Sequence, residues 1–228
     1  MLTTAMLFLS CTHPRKEGVE TTFQNNIPLP QRIEIPNANT DRIFFRDLIV
    51  ITNSTALPAN LLQLSDDELK NVPGLYTTPG INTVVKMANW KPLRETGMAD
   101  GDLEVRVWII GGFPHGLRLF CHQGEWAGFY TGIFLSTYEL KPKTSWEELW
   151  KKVEALGILD LPDSSSIPNY LPLMGGMGYI VEINNGEHYR TYKHSNLKHQ
   201  EYPEAKQMME IIKTFRDEFQ DSFPMRIY

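Results

Sequence analysis

The chain has 228 residues and a formal net charge of −5, from 27 acidic and 22 basic residues. With no long basic run, that balance excludes the electrostatic footprint that a phosphate backbone requires, so no nucleic-acid partner is expected. Two cysteines, Cys11 and Cys121, cannot build a disulfide framework. No apolar run reaches the roughly 18–20 residues that span a bilayer. Hydrophobic residues at 42% and charged residues at 21% are ordinary for a folded protein, and the length suits one sizeable domain.

Residues 5–11 read Ala-Met-Leu-Phe-Leu-Ser-Cys: an apolar run, a small residue, then a cysteine. This stretch resembles the end of a bacterial lipoprotein signal. The resemblance covers residues 1–11 only and implies that Cys11 becomes the first mature residue and carries the lipid. Residues 1–10 hold no Lys or Arg, unlike the positively charged start of secretory signals, and the expectation is a signal peptide that is truncated or begins elsewhere. The following residues, to about Asn39, are polar and rich in Pro and Asn, with no sustained period of 2 or 3.6. They read as a tether that holds a folded domain off a membrane surface. The division expected is signal peptide 1–10, tether 11–40 and a single domain 41–228.

Residues 42–52 are β-branched and aromatic and predict a first strand. Ser65-Asp-Asp-Glu68 is a capping box for a short helix that Pro73-Gly74 stops. Residues 84–90 suit either a short helix or a strand. Along residues 103–110 the pattern alternates: Leu103, Val105, Val107 and Ile109 on one face, Glu104, Arg106 and Trp108 on the other. A hairpin follows, turning at Gln123-Gly124, with Leu117, Leu119, Cys121, Trp126 and Tyr130 on one face and His122 across from Glu125. Ser145-Trp-Glu-Glu148 is a second capping box. Its helix carries Trp146, Leu149, Trp150, Val153 and Leu156 on one stripe and ends before Gly157.

Residues 178–194 predict the hairpin around which the domain is organised. A two-residue turn at Asn185-Gly186 would put His188 and Arg190 on one face with Val181 and Ile183. A three-residue loop, Asn184-Asn185-Gly186, would instead gather Tyr179, Val181, Ile183, Tyr189 and Thr191. The second register is preferred because it separates most apolar side chains from the charged ones. A last helix should run from Pro203 to about Phe219, with Ala205, Met208, Met209, Ile212, Phe215 and Phe219 inward.

The fold class expected is therefore α+β: an antiparallel sheet built from hairpins, with amphipathic helices packed on one face. Each hairpin has Gly-Glu at its turn and a tyrosine six residues after the Gly (Tyr130, Tyr192), which suggests a ββα unit used twice.

The candidate chemistry is sparse. Cys121 lies in line with Leu117 and Leu119 and reads as a buried thiol rather than a nucleophile. His115, His122 and Glu125 lack the spacing of a metal site, and His122 with Glu125 reads as a cross-strand pair beside a tight turn. Neither glycine-rich stretch, 111–116 or 175–178, has the ending of a phosphate loop. No metal and no cofactor is expected. In the preferred register Glu182, His188, Arg190 and Tyr192 share a polar face. It is either a recognition surface or an ordinary solvated face laced by a Glu182–Arg190 diagonal pair. Trp108 is the tryptophan expected to be exposed. The functional expectation is a lipid-anchored envelope protein, periplasmic or on the outer-membrane surface, whose domain binds a protein or glycan partner and catalyses nothing. The rival expectations are an envelope hydrolase with a site assembled from loops 111–116 and 161–177, and a cytoplasmic interaction or immunity-type protein.

Overall fold

The computed structural model describes residues 80–220, apart from 112, 133–134, 169 and 172–175. The strand expected at 42–52, the capping box at Ser65, the tether and Cys11 lie outside the described residues. Within them the chain forms helix α1 (Ile81–Met87) and strands β1 (Leu103–Ile110), β2 (His115–His122), β3 (Glu125–Gly132) and β4 (Leu135–Glu139). Helix α2 (Trp146–Ala155), β5 (Gly178–Asn184), β6 (Tyr189–Ser195) and α3 (Pro203–Phe219) follow. The strands make one antiparallel sheet in the order β4-β3-β2-β1-β5-β6. This is an α+β fold.

The sheet is a meander from β1 to β4, after which the chain crosses one face as α2 and adds β5 on the free side of β1. Helix α3 returns across the same face. The alternation in β1 turns Leu103, Val105, Val107 and Ile109 toward these helices, together with Leu117, Leu119, Cys121 and Tyr130. The two stripes read from the sequence supply the other half of the core. Leu149, Trp150 and Val153 come from α2, and Ala205, Met208, Ile211, Ile212, Phe215 and Phe219 from α3. Trp126 stacks on Trp150 at 4.9 Å between ring centroids, and Trp146 tilts against Phe219 at 5.8 Å. Each fully buried side chain of this size is worth about 1.5–3 kcal/mol of apolar transfer.

Local signals set the helix ends. Ser145 Oγ accepts the Glu148 amide at 3.2 Å, and Gly157 takes φ +82° just beyond α2. Glu218, in the last turn of α3, fastens the two helices together. Its carboxylate accepts Lys152 Nζ at 2.6 Å and the Thr144 amide and hydroxyl at 3.0 and 2.9 Å.

The structure differs from the expectation in three places. Residues 84–87 take the helical of the two alternatives, but α1 packs on the sheet face opposite the two long helices, where Ile81, Val84 and Val85 cover Trp108 and Ile180. The two long amphipathic helices share one face, but both faces of β1 are buried. The second difference concerns the repeat. Tyr130 and Tyr192 both point into the main core, yet β4 stands between the first hairpin and its helix, and the hairpins turn differently. Gln123-Gly124 is the two-residue turn expected, whereas Asn184 pairs with Tyr189 across the longer loop 185–188.

That longer loop is the third difference and the most consequential. It restores the face assignment of the rejected two-residue turn, with Arg190 and Tyr192 beside Val181 and Ile183. Asn185 Oδ1 accepts the amides of Glu187 (3.1 Å) and His188 (2.8 Å), which braces the four-residue loop. The buried arginine is satisfied by backbone. Arg190 donates to the carbonyls of Leu159 and Leu161, and at 3.3 Å to that of Asp160, while Tyr192 Oη donates to Ile158 at 2.6 Å. Lys193 N donates to Asp163 Oδ2 at 2.8 Å, so the segment after α2 closes the outer edge of β6.

Arg190→Met should strip partners from two buried carbonyls and cost on the order of 2 kcal/mol or more. Amide exchange at Lys193 should accelerate more than exchange in β1, because the edge covering loosens first. Equal acceleration in both strands would contradict this assignment.

Candidate functional site

On the face opposite α2 and α3, alternation places Glu104, Arg106 and Trp108 of β1 beside Arg118 of β2 and Glu182 and Asn184 of β5. The covering by α1 and the segment after it forces these groups to satisfy one another. Glu104 accepts Arg106 Nε at 2.7 Å and Arg118 Nε and Nη2 at 2.7 and 2.9 Å. Arg106 Nη1 donates to the Lys91 carbonyl at 2.9 Å, and Asn184 Nδ2 donates to the carbonyls of Leu93 (2.9 Å) and Thr96 (3.2 Å). Together these bonds staple residues 91–96 to the sheet.

Trp108, expected at the surface, is fully buried. Its indole N–H donates to Glu182 Oε2 at 2.5 Å, and Tyr189 Oη donates to Glu182 Oε1 at 2.9 Å. Gly116 makes this arrangement possible. A Cβ there would lie 2.5 Å from Trp108 Cε3 and 2.9 Å from the Val107 carbonyl.

The four hairpin residues expected to share a surface do not. Glu182 is buried on the α1 face, and Arg190 and Tyr192 are buried on the other face, so the Glu182–Arg190 pair does not form. His188 alone is half-exposed, in the turn. The reason is physical: charged side chains went inward because backbone carbonyls and a tryptophan N–H were there to receive them.

What reaches solvent is a row at the margin of this network. Trp90 stacks over Arg118 at 5.2 Å, Arg118 over Phe120 at 4.8 Å, and Phe120 parallel to Phe129 at 6.1 Å. All four side chains are half-exposed. Two flat apolar rings, a third aromatic and a guanidinium edge held by Glu104 make a rigid contact surface. The alternating pattern of β1 announced the charged face; Trp90, Phe120 and Phe129 carried no distinguishing signal in the sequence.

His122 stands across from Glu125 as expected, but its Nδ1 donates to Asp102 Oδ2 at 2.6 Å. Asp102 also accepts the Gln123 amide at 3.1 Å and the Ala99 amide at 3.3 Å. A buried carboxylate behind an exposed imidazole is the orienting half of a general base, but here its remaining bonds tie the β2–β3 turn to the start of β1. His194, fully buried, donates from Nε2 to the Pro162 carbonyl at 2.9 Å, and burial keeps its pKa below the usual 6.5. Cys121 is buried in the main core, and burial pushes its thiol up.

Among the described residues no group of three His, Cys, Asp or Glu side chains is placed to hold a metal ion, and no helix is long and apolar enough to cross a membrane. No family model, no curated protein and no solved structure matches the chain.

Burial lifts the Glu182 carboxyl above its usual 4.5, and the nearby Arg106 charge and the bonds from Trp108 and Tyr189 only partly offset it. A carboxyl raised in the folded state destabilises the fold as it ionises, so stability is lost as pH climbs from the unfolded value to the folded one. Glu182→Gln keeps the shape, with its oxygen toward Trp108 and its amide toward the Tyr189 hydroxyl. Urea midpoints of wild type should therefore fall relative to Glu182→Gln as pH rises above the usual 4.5; parallel curves would contradict the assignment. Asp102 behaves oppositely. Burial works upward, but the bonds from His122 and the Gln123 amide outweigh it and hold the carboxyl below the usual 3.8. Its contribution is present above that value and lost as pH falls through the folded one. Asp102→Asn should be less stable than wild type at pH 7, by at most about 1 kcal/mol because His122 is solvated, and the gap should close in acid.

Proposed function

We propose that the protein is a lipid-anchored protein of the bacterial cell envelope whose α+β domain binds a partner and is not a catalyst. The observation that carries this reading is Ala5-Met-Leu-Phe-Leu-Ser-Cys11 followed by a polar, Pro- and Asn-rich segment. A lipid on Cys11 supplies membrane affinity through its buried methylenes and needs no spanning helix. The partner-binding part of the proposal draws on the Trp90–Arg118–Phe120–Phe129 row, whose flat rings and single guanidinium suit a protein side chain or a sugar ring. The binding reading, in preference to the hydrolase, draws on how the titratable groups are used. Asp102, Glu104, Arg106, Glu182, Arg190 and Glu218 all bond to elements of the fold that they hold in place.

Metabolic labelling with a fatty-acid analogue in a bacterial host should mark the wild-type chain and leave Cys11→Ala unmarked. Equal labelling of the two, or none on wild type, would refute the anchor. Retention of residues 1–10 in the intact mass of the native protein would point instead to the cytoplasmic alternative.

A further inference from the structure

At one end of the sheet two large apolar side chains stand in solvent. Phe113, in the connection between β1 and β2, is 57% exposed, and Leu171, ahead of β5, is 55% exposed. The two connections are neighbours. Ile110 pairs with Gly178, and a Cβ on Gly111 would lie 2.6 Å from the Gly176 carbonyl. Both side chains are presented by backbone that a polar neighbour fixes. His115 Nδ1 donates to the Phe113 carbonyl at 3.0 Å, and its ring meets Tyr130 edge-on at 5.9 Å. Leu171 is gripped from both sides by the buried Gln200 amide: Leu171 N donates to Oε1 at 3.3 Å, and Nε2 donates to the Leu171 carbonyl at 2.9 Å. Exposed Lys198 and His199 sit on the turn that carries Gln200, with exposed Glu201 after it.

We infer that this end of the sheet faces the bilayer, with Phe113 and Leu171 entering its interfacial layer. The inference rests on the anchored reading above, which says what the partner is. Lys198 and Glu201 are of opposite charge and the chain is acidic overall, so apolar insertion rather than electrostatic attraction carries the contact. Two apolar side chains bind a bilayer weakly on their own. A lipid on Cys11 changes the arithmetic, because the domain is then confined near the surface at an effective concentration of order mM. A tether over residues 11–40, as the Pro- and Asn-rich sequence suggests, would leave the domain free to choose its orientation.

The test couples the full-length chain through Cys11 to maleimide-bearing vesicles of phosphatidylethanolamine and phosphatidylglycerol, Cys121 being buried. Hydrogen exchange is then compared with that of the uncoupled chain capped at Cys11. Peptides covering Phe113 and Leu171 should exchange about fivefold more slowly or better on the vesicle. Phe113→Asp with Leu171→Asp should abolish that slowing and leave exchange in β1 and β5 unchanged, which shows that the variant is folded. No slowing on the vesicle, or slowing that survives the double substitution, would overturn the inference; the first result would direct these side chains to a protein partner. Because the coupling is chemical, the outcome does not depend on whether Cys11 is acylated in the cell, so the two proposals fail separately.

Discussion

The structure depends on the double burial of β1. A strand covered on one face only could keep Glu104, Arg106 and Trp108 in water at no cost. Covering it with α1 and residues 91–96 removes that option, and each polar group then needs a partner of the right sign at hydrogen-bond distance. Glu104 receives two arginines, Glu182 receives an indole and a phenol, and Arg106 and Asn184 turn to the carbonyls of the covering segment. Replacing one member would leave an uncompensated buried group, so the set is coupled more tightly than its separate distances suggest.

The same accounting explains what could be read from sequence. The α+β class, the two-residue turn of the β2–β3 hairpin, both long helices and nearly all of their inward stripes follow from periodicity, capping and glycine placement, which are local. The register of the β5–β6 hairpin is not local. Sorting apolar from charged residues favours one parity, yet Arg190 is inside because the carbonyls of Leu159 and Leu161 await it. Those residues lie some thirty positions away, and no pattern within the hairpin reveals them. One residue of parity then moved Arg190 and Tyr192 to the other face and dispersed the expected surface.

The margin of the buried network bears on recognition. Arg118 spends two of its nitrogens on Glu104 and lies between Trp90 and Phe120, so its orientation is set before any partner arrives. A guanidinium held in this way loses little side-chain freedom on binding, which is the main entropic charge against arginine contacts. Phe120 and Phe129 extend the same plane with rings that have few rotamers to lose. The surface is pre-organised by the network beneath it, and legibility fails here too: the phenylalanines look like any strand residues until Arg118 is seen between the two layers.

The sheet's edges sharpen the contrast between closed and open parts of the molecule. At β6 the segment after α2 supplies Asp163 to an outward amide and carbonyls to Arg190, Tyr192 and His194, so that edge is sealed against another strand. Strand β4 is short, and among the described residues its residues 136–139 are exposed, with Glu139 placing charge beside that edge. A domain that seals one edge with backbone bonds and guards the other with a short, charged strand discourages strand addition as a mode of recognition. Contact then falls to side chains that stand clear of the sheet. Besides Met87 and Tyr138, those of the described residues gather at two places: the aromatic and guanidinium row on the α1 face, and Phe113 and Leu171 beyond β1 and β5. The two differ in chemistry. The row offers a cation and flat rings suited to a structured partner, whereas the tips offer bare hydrocarbon on pinned backbone, which a fluid apolar layer can accept without matching its shape.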